Sequence, residues 1–514
     1  MGLRQRFSRG VPAATTSTKP ARGSFEPPKP KTWDYYLLLA LLVFPVRAIV
    51  YVAPVALVML ALDQWEWFRS TPLNPWVATP LMLYCFVEVM FTLYHHVSKT
   101  SLASPQASPP PLRKQFSHHT APHVGLFERC MADIPDVKTF VEEWFYGTPL
   151  ERLTRHDLRR WLAYVFYSDD VPTDCPKYDW TAIDAMVDQL YIRAGVREPL
   201  AAEGPLYSSN PCIRHTLDEF ECAERPLIAY VVTMGMDVLA ALVLAQVGFE
   251  RHVVGTGCSY WYRGGSTPKM SAEDPSEDPV VFVHGIGAGL LMYIPMVLRM
   301  AAECRTRQLF LLELRYVSMQ LEANVPSQDD TLGAISHMLA AHGVASAHWM
   351  GHSLGSVVCS WVCKDAPQCV SGLTLIDPVV FLLCRRDVAY NFLYREPTTG
   401  LQVIMWYFVV RTSQELHIAH AIRRHFWWYN NILFPEELPR HCSTNEVAAS
   451  IFLSSCDQIA DTPTVHALLQ RGVQANSPDE PHAPIRVTMW EGLTHGESLL
   501  RPHYYSMALA ALQT

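Results

Sequence analysis

The feature that most constrains this chain is the pentapeptide Gly351-His352-Ser353-Leu354-Gly355. It lies between the apolar run Ala347-His348-Trp349-Met350 and the stretch Ser356-Val357-Val358-Cys359-Ser360-Trp361-Val362. G-x-S-x-G at such a junction predicts a strand that turns sharply into a helix and leaves Ser353 on a strained tip with its hydroxyl exposed. Gly351 and Gly355 are expected to form the elbow around it, because strand and helix backbones come too close there for a Cβ. The pentapeptide also arises by chance in long chains, so its surroundings carry the argument.

From about Tyr260, short apolar segments alternate with helical ones, which predicts an α/β unit with a mostly parallel sheet and helices on both faces. Strands are expected at 280–283, 309–312, 347–350, 373–376, 450–453 and 485–489, with helices at 291–300 and 330–342. The alternation breaks from Val379 to about Arg440, a stretch rich in Arg, His and aromatics that includes Phe426-Trp427-Trp428-Tyr429. That cluster reads as packing onto the sheet, or else as a wall for an acyl chain or a face that touches the membrane.

Loops after these strands carry Ser, Asp and His in that order. Acyl transfer by a serine needs a base for its proton, an acid to orient the base, and donors for the oxyanion. Ser353 is the candidate nucleophile, and His495, in Gly492-Leu493-Thr494-His495-Gly496, the candidate base. Asp457, just past the Ile451 strand, is the candidate acid. Asp377 is the alternative acid, although it adjoins Pro378 where the insertion opens and is suited to hold that turn. The backbone N–H groups of Leu354 and of Ile286, in His284-Gly285-Ile286-Gly287, are the candidate oxyanion donors. This glycine-rich loop has neither G-x-G-x-x-G nor a Walker lysine. The thirteen cysteines are scattered, and the closest pair, Cys359 and Cys363, has no second pair at metal-site spacing. They read as reduced thiols, and no metal or cofactor is expected.

With these residues placed, the C-terminal half resembles the α/β-hydrolase superfamily over roughly residues 260–514. The resemblance rests on the His-Gly loop after an early strand, on GHSLG, on Asp457 and on His495, in the superfamily's chain order. The wording VFVHGIGAGLLMYIPM, IDPVVFLL and DVAYNFLYR further resembles a membrane-anchored, uncharacterised subgroup of fungi and algae. The resemblance implies an α/β-hydrolase fold with an inserted lid, here about 379–440, and serine hydrolase chemistry.

The N-terminal part says where such an enzyme would work. Residues 1–32 carry seven Arg and Lys against Glu26 alone and read as a disordered basic tail. This tail fits a cytoplasmic flank under the positive-inside rule, or alternatively an organelle transit segment. Tyr35 to Leu62 is a long apolar stretch whose one charge is Arg47, and about 77–97 is a second whose one charge is Glu88. Each is long enough to cross a bilayer, so 33–98 is read as a transmembrane hairpin in which Arg47 and Glu88 could pair. Residues 99–122 read as a Pro-rich linker and 123–259 as a helical region. Within that region, Leu227 to Gly248 is apolar apart from Asp237; it reads as a core or membrane-surface helix, with a third span as the alternative.

The expected protein is a membrane-bound serine hydrolase of the carboxylic-ester, lipase-like kind, with the lipid bilayer and a hydrophobic acyl ester as partners. Alternatives are an acyltransferase with the same triad, which the absence of H-x-x-x-x-D after His495 disfavours, and an inactive scaffold. A net charge of −8 gives no basis for binding nucleic acid.

Overall fold

Eight strands make one sheet in the order β1-β2-β4-β3-β5-β6-β7-β8. They are β1 (Glu250–Val254), β2 (Cys258–Arg263), β3 (Val280–Val283), β4 (Leu309–Glu313), β5 (Ala347–His352), β6 (Val370–Ile376), β7 (Ala449–Ser454) and β8 (Arg486–Trp490). The computed structural model describes residues 30–63, 74–105, 110, 112, 122–168, 179–198, 210–255, 258–265, 278–399, 414–441, 446–472 and 484–513. The basic tail up to Lys29 and most of the Pro-rich linker lie outside these residues. From β3 to β8 every pairing is parallel, whereas β1 and β2 form an antiparallel edge on β4.

The sheet is buried on both sides, as a parallel sheet must be, and the alternation along each strand separates two cores. Val281, Val283, Phe310, Leu312, Trp349 and Leu375 point into one, and Val280, Phe282, Leu309, Leu311, Met350 and Ile376 into the other. The register sets the site: Val283 pairs with Gly351, Ile376 with His352 and with Phe452, and Ser454 with Trp490. The carboxyl ends of β3, β5, β6, β7 and β8 therefore finish at one edge, where an open α/β sheet keeps its crevice.

In chain order the α-helices longer than four residues are α1 (Trp33–Leu62), α2 (Pro75–Leu102), α3 (Pro122–Ala132), α4 (Val137–Trp144), α5 (Arg155–Tyr167), α6 (Trp180–Ala194), α7 (Leu227–Gln246), α8 (Ile294–Glu303), α9 (Gln328–Ala341), α10 (Gly355–Asp365), α11 (Asp387–Leu393), α12 (Leu416–His425), α13 (Thr462–Gln470) and α14 (Pro502–Ala510). The helices α3 to α6 precede the sheet in the chain, and their Leu126, Phe140, Trp161 and Leu190 share a core with it. The sheet starts at Glu250, inside the stretch read as helical to 259. Strand β1 is a polar, largely exposed edge (Glu250, Arg251, His252), so it carries no buried-strand signature. Between β6 and β7 the insertion supplies α11 and α12; residues 400–413 within it are outside the described residues.

Helices α1 and α2 pack as a hairpin through Ala53, Leu60 and Cys85. Both are long and apolar enough to cross a membrane, as is α7. A π-helical turn, Leu39–Val43, precedes Pro45, as expected where a proline has no N–H to offer the previous turn. Glu88 is buried and accepts from the backbone N–H of Leu227 at 3.0 Å and from the Tyr84 hydroxyl at 3.2 Å. Its carboxylate thus caps the start of α7, a partner the reading of Arg47 and Glu88 as a pair did not foresee.

Candidate active site

Ser353 sits between β5 and α10 with φ of +51°, a left-handed conformation that costs a non-glycine residue energy and that a fixed elbow imposes. The flanking glycines are required, though for different contacts. A Cβ on Gly351 would lie 2.7 Å from Cys359 Sγ on α10, and one on Gly355 only 2.2 Å from the Val283 carbonyl oxygen. The second clash is with the neighbouring strand β3, because α10 starts directly over it. Ser356 donates its hydroxyl to the Ser353 carbonyl at 2.5 Å and accepts from the Val379 N–H at 3.1 Å, tying the elbow to the start of the insertion.

The three loops meet in one chain of hydrogen bonds. Ser353 Oγ is 2.8 Å from His495 Nε2, and His495 Nδ1 is 2.7 Å from Asp457 Oδ2. The Asp457 side chain is fully buried, and its other oxygen accepts from the N–H groups of Ile459 at 2.6 Å and Ala460 at 3.1 Å. Burial alone would depress the His495 pKa, but the Asp457 charge and hydrogen bond, with a smaller contribution from Asp377, outweigh it and raise the imidazole to about 9.

Asp377 makes no hydrogen bond to His495. Its carboxylate, completely buried, accepts from the Ser454 N–H at 2.9 Å and the Gly496 N–H at 2.8 Å. It clamps together the end of β7, which leads to Asp457, and the residue after His495. Burial and then the nearby Asp457 charge push its pKa up, against the pull of His495.

The N–H groups of Leu354 and Ile286 hydrogen-bond no other described residue, and both residues line the same cavity as Ser353 and His495. Holding the second of these loops is a network the sequence reading did not include. Gly285 donates its N–H to the Tyr293 hydroxyl at 2.9 Å, and that hydroxyl is 2.8 Å from His352 Nδ1. That hydroxyl thus joins the Gly285 loop to the elbow, and burial, with His495 beside it, holds the His352 pKa low. His284 accepts the Leu314 N–H at Nε2 (2.9 Å) and so donates from Nδ1 to the Gly285 carbonyl (2.7 Å). A Cβ on Gly285 would be 2.8 Å from Ser353 Cβ, so this loop approaches the serine as closely as a backbone can.

The cavity in front of Ser353 takes in about 1020 Å³ of space between atoms, with the open solvent at its mouth included. Its walls are mostly apolar: Val379, Val388, Phe392 and Leu393 from the insertion, Ile422 and Phe426 from α12 and just beyond it, and Ile459. Arg395 and His215 are polar members of the wall. His215 is spent in hydrogen bonds to Tyr164 and to the Phe426 carbonyl, and burial lowers its pKa to about 4. Of the aromatic cluster, Phe426 faces the cavity while Trp428 packs on Phe166 in the core and donates to the Val165 carbonyl. The cluster is thus divided between the cavity wall and a core shared with α5. Among the described residues no group of His, Cys, Asp and Glu is arranged to hold a metal ion.

A family profile described as alpha/beta hydrolase fold matches residues 278–399, from β3 through the elbow into the insertion. Among solved structures, a membrane phospholipase A described as a bacterial virulence factor is similar at 15% identity, with 56% of this chain and 94% of that one covered and a TM-score of 0.39. Two Bacillus subtilis enzymes are similar as well. The carboxylesterase CesB matches at 14% identity, 54% and 98% coverage and a TM-score of 0.35. Naproxen esterase matches at 13%, 54% and 96%, with a TM-score of 0.36. No curated protein matches the chain. The chain has the α/β-hydrolase fold, with a mostly parallel sheet and helices on both faces, preceded by apolar helices consistent with the expected hairpin.

Proposed function

We propose that this protein is a membrane-bound serine hydrolase that cleaves carboxylic esters of hydrophobic acyl groups. The observation that carries the proposal is the continuous line Asp457, His495, Ser353 at the wall of an apolar cavity. Ser353 Oγ attacks the ester carbonyl while His495 Nε2 takes its proton. Asp457 fixes the ring with Nδ1 protonated and stabilises the imidazolium that forms. The N–H groups of Leu354 and Ile286 receive the developing oxyanion. His495 then protonates the departing alcohol, leaving an acyl-enzyme at Ser353. Water, deprotonated by His495, attacks that acyl group and releases the acid.

In this reading α1 and α2 anchor the enzyme in a bilayer, with both ends of the hairpin and the catalytic unit on the side of the basic flanks, the cytoplasmic face; the length and apolar character of the two helices support the anchoring. An organelle membrane reached through a transit-like N-terminus is the other location compatible with the tail. A fluorophosphonate probe is expected to label the wild type and not Ser353→Ala; labelling of both would overturn the assignment. With a labelled acyl lipid, hydrolysis yields free acid, whereas a new ester as the main product would identify an acyltransferase.

A further inference from the structure

Helix α7 is as long and apolar as a membrane span: twenty residues, or about 30 Å, match the hydrocarbon core. A crossing would put residues 122–226 and 250–513 on opposite sides of the membrane. These two segments are one body. His215 bonds the Phe426 carbonyl at 3.1 Å, Trp428 bonds the Val165 carbonyl at 2.8 Å, and Ala223 bonds the Gln414 carbonyl at 2.6 Å. Helix α7 is itself pinned to that body along its length. Tyr230 donates to Glu415 at 2.7 Å, Thr233 to the Met319 carbonyl at 3.0 Å, and Leu244 is buried in the core formed by Phe282 and Met296.

The opposite face is uncovered. Ile228, Val231, Val232, Val238, Leu239 and Leu242 are 40–59% exposed and repeat at helical spacing, so they form one apolar stripe. The stripe adjoins the hairpin: Glu88 of α2 holds the first N–H of α7, and Phe91 packs edge-on against Tyr230 with centroids 5.3 Å apart. Outward residues of α2 at the same level, Met90, Leu93 and Tyr94, are also exposed. Whatever coats α2 there continues onto α7.

We infer that α7 does not cross the membrane but lies against the near leaflet, with its stripe in lipid and its other face on the catalytic unit. The depth follows from the hairpin. Glu88 is thirteen residues from the start of α2 at Pro75, so about 20 Å of α2 extends beyond it. A hydrocarbon core of about 30 Å then leaves α7 roughly 10 Å inside the near surface, the depth of a monotopic helix. This rests on the membrane attachment proposed above and not on the chemistry of Ser353.

The test uses the full chain in phosphatidylcholine vesicles carrying nitroxide-labelled lipids at shallow or deep acyl positions. Ile228→Cys, Leu239→Cys and Gln246→Cys, which fall on one face at 100° per residue, each receive an environment-sensitive fluorophore and are read against the labelled parent. Equal quenching at all three within about twofold, strongest from the shallow lipids, is expected. Deep quenching confined to Leu239 would mean a crossing helix and would overturn the inference. Absence of quenching at Leu239 and Gln246 would mean cover by protein, such as a second copy, or exposure to water, and would also overturn it. Release of the full chain from membranes at alkaline pH would instead remove the membrane attachment itself, a failure distinguishable from the other two.

Discussion

Replacing Asp457 with asparagine removes the charge opposite His495 while keeping the side chain's size, and its effect can be worked out from the site. His495 ionises at about 9, against 6.5 for a free imidazole. At about 1.4 kcal/mol per tenfold change, that difference is roughly 3 kcal/mol of stabilisation of the imidazolium. Only the neutral ring can take the Ser353 proton, so raising the pKa lowers the competent fraction below that pH. At pH 7 roughly one molecule in a hundred has a neutral His495, and kcat/KM should climb about tenfold per pH unit until it levels near 9.

In Asp457→Asn burial acts on His495 largely unopposed, and the acid limb should move below 6.5. At the plateau kcat should drop by about 10⁴, because the amide no longer holds the ring in the productive tautomer or stabilises its charge. The assay is release of free acid from an acyl ester between pH 5 and 10, for the wild type, Asp457→Asn and Asp377→Asn. Asp377 contributes less to the His495 pKa than Asp457 does and makes no hydrogen bond to the ring, so Asp377→Asn should shift the limb by much less. A wild-type limb at or below 6.5 would refute the electrostatic reasoning. A downward shift with a 10⁴-fold loss in Asp377→Asn, and not in Asp457→Asn, would make Asp377 the acid.

Two substitutions test the elbow and the oxyanion loop. Gly355→Ala puts a methyl group 2.2 Å from the Val283 carbonyl, backbone against backbone, and should cost about 3 kcal/mol or more, seen as a lower melting temperature and poor yield. Tyr293→Phe removes the hydroxyl shared by the Gly285 N–H and His352 Nδ1. It should cost about 1–3 kcal/mol for the unpaired buried groups and about tenfold in kcat with little change in KM, measured on the same ester.

The sequence made the catalytic unit legible because its signals are local. Val280 to Val283 and Leu309 to Leu312 are continuous apolar runs, which a strand buried on both faces requires, and GHSLG carries its turn in five residues. Asp457 could be preferred to Asp377 since each follows a strand and one adjoins the proline that opens the insertion. Less legible was whatever depends on contacts between distant segments. Tyr293 and His352 are 59 residues apart, and nothing in either neighbourhood says that one hydroxyl joins the Gly285 loop to the elbow. Asp377 shows its role as a clamp only once β7 and the loop after β8 are side by side. Strand β1 is exposed at the sheet edge and has no apolar pattern to read. Hydropathy likewise marks α7 as apolar all round without saying which face meets protein.

The insertion joins these two levels. Glu415 caps α12 through the N–H groups of His417 and Ile418 and also accepts from Tyr230 of α7. Further along, His420 donates to the Leu102 carbonyl at 3.2 Å and Arg424 to the Ala103 carbonyl at 2.8 Å, both at the end of α2. Ile422, between those two contacts, and Phe426, just past them, face the cavity. A lid that swings open needs a hinge and few bonds to break, whereas α12 is bonded to α7 and to the end of α2 over about three turns. The wall that Ile422 and Phe426 give to the cavity is thus held by the same apolar helices that are long enough to cross a membrane or lie on it. Under the membrane attachment and substrate proposed above, the approach of an acyl chain to Ser353 is set by how the hairpin and α7 sit in the bilayer, and these helices shape the candidate site as well as anchoring it.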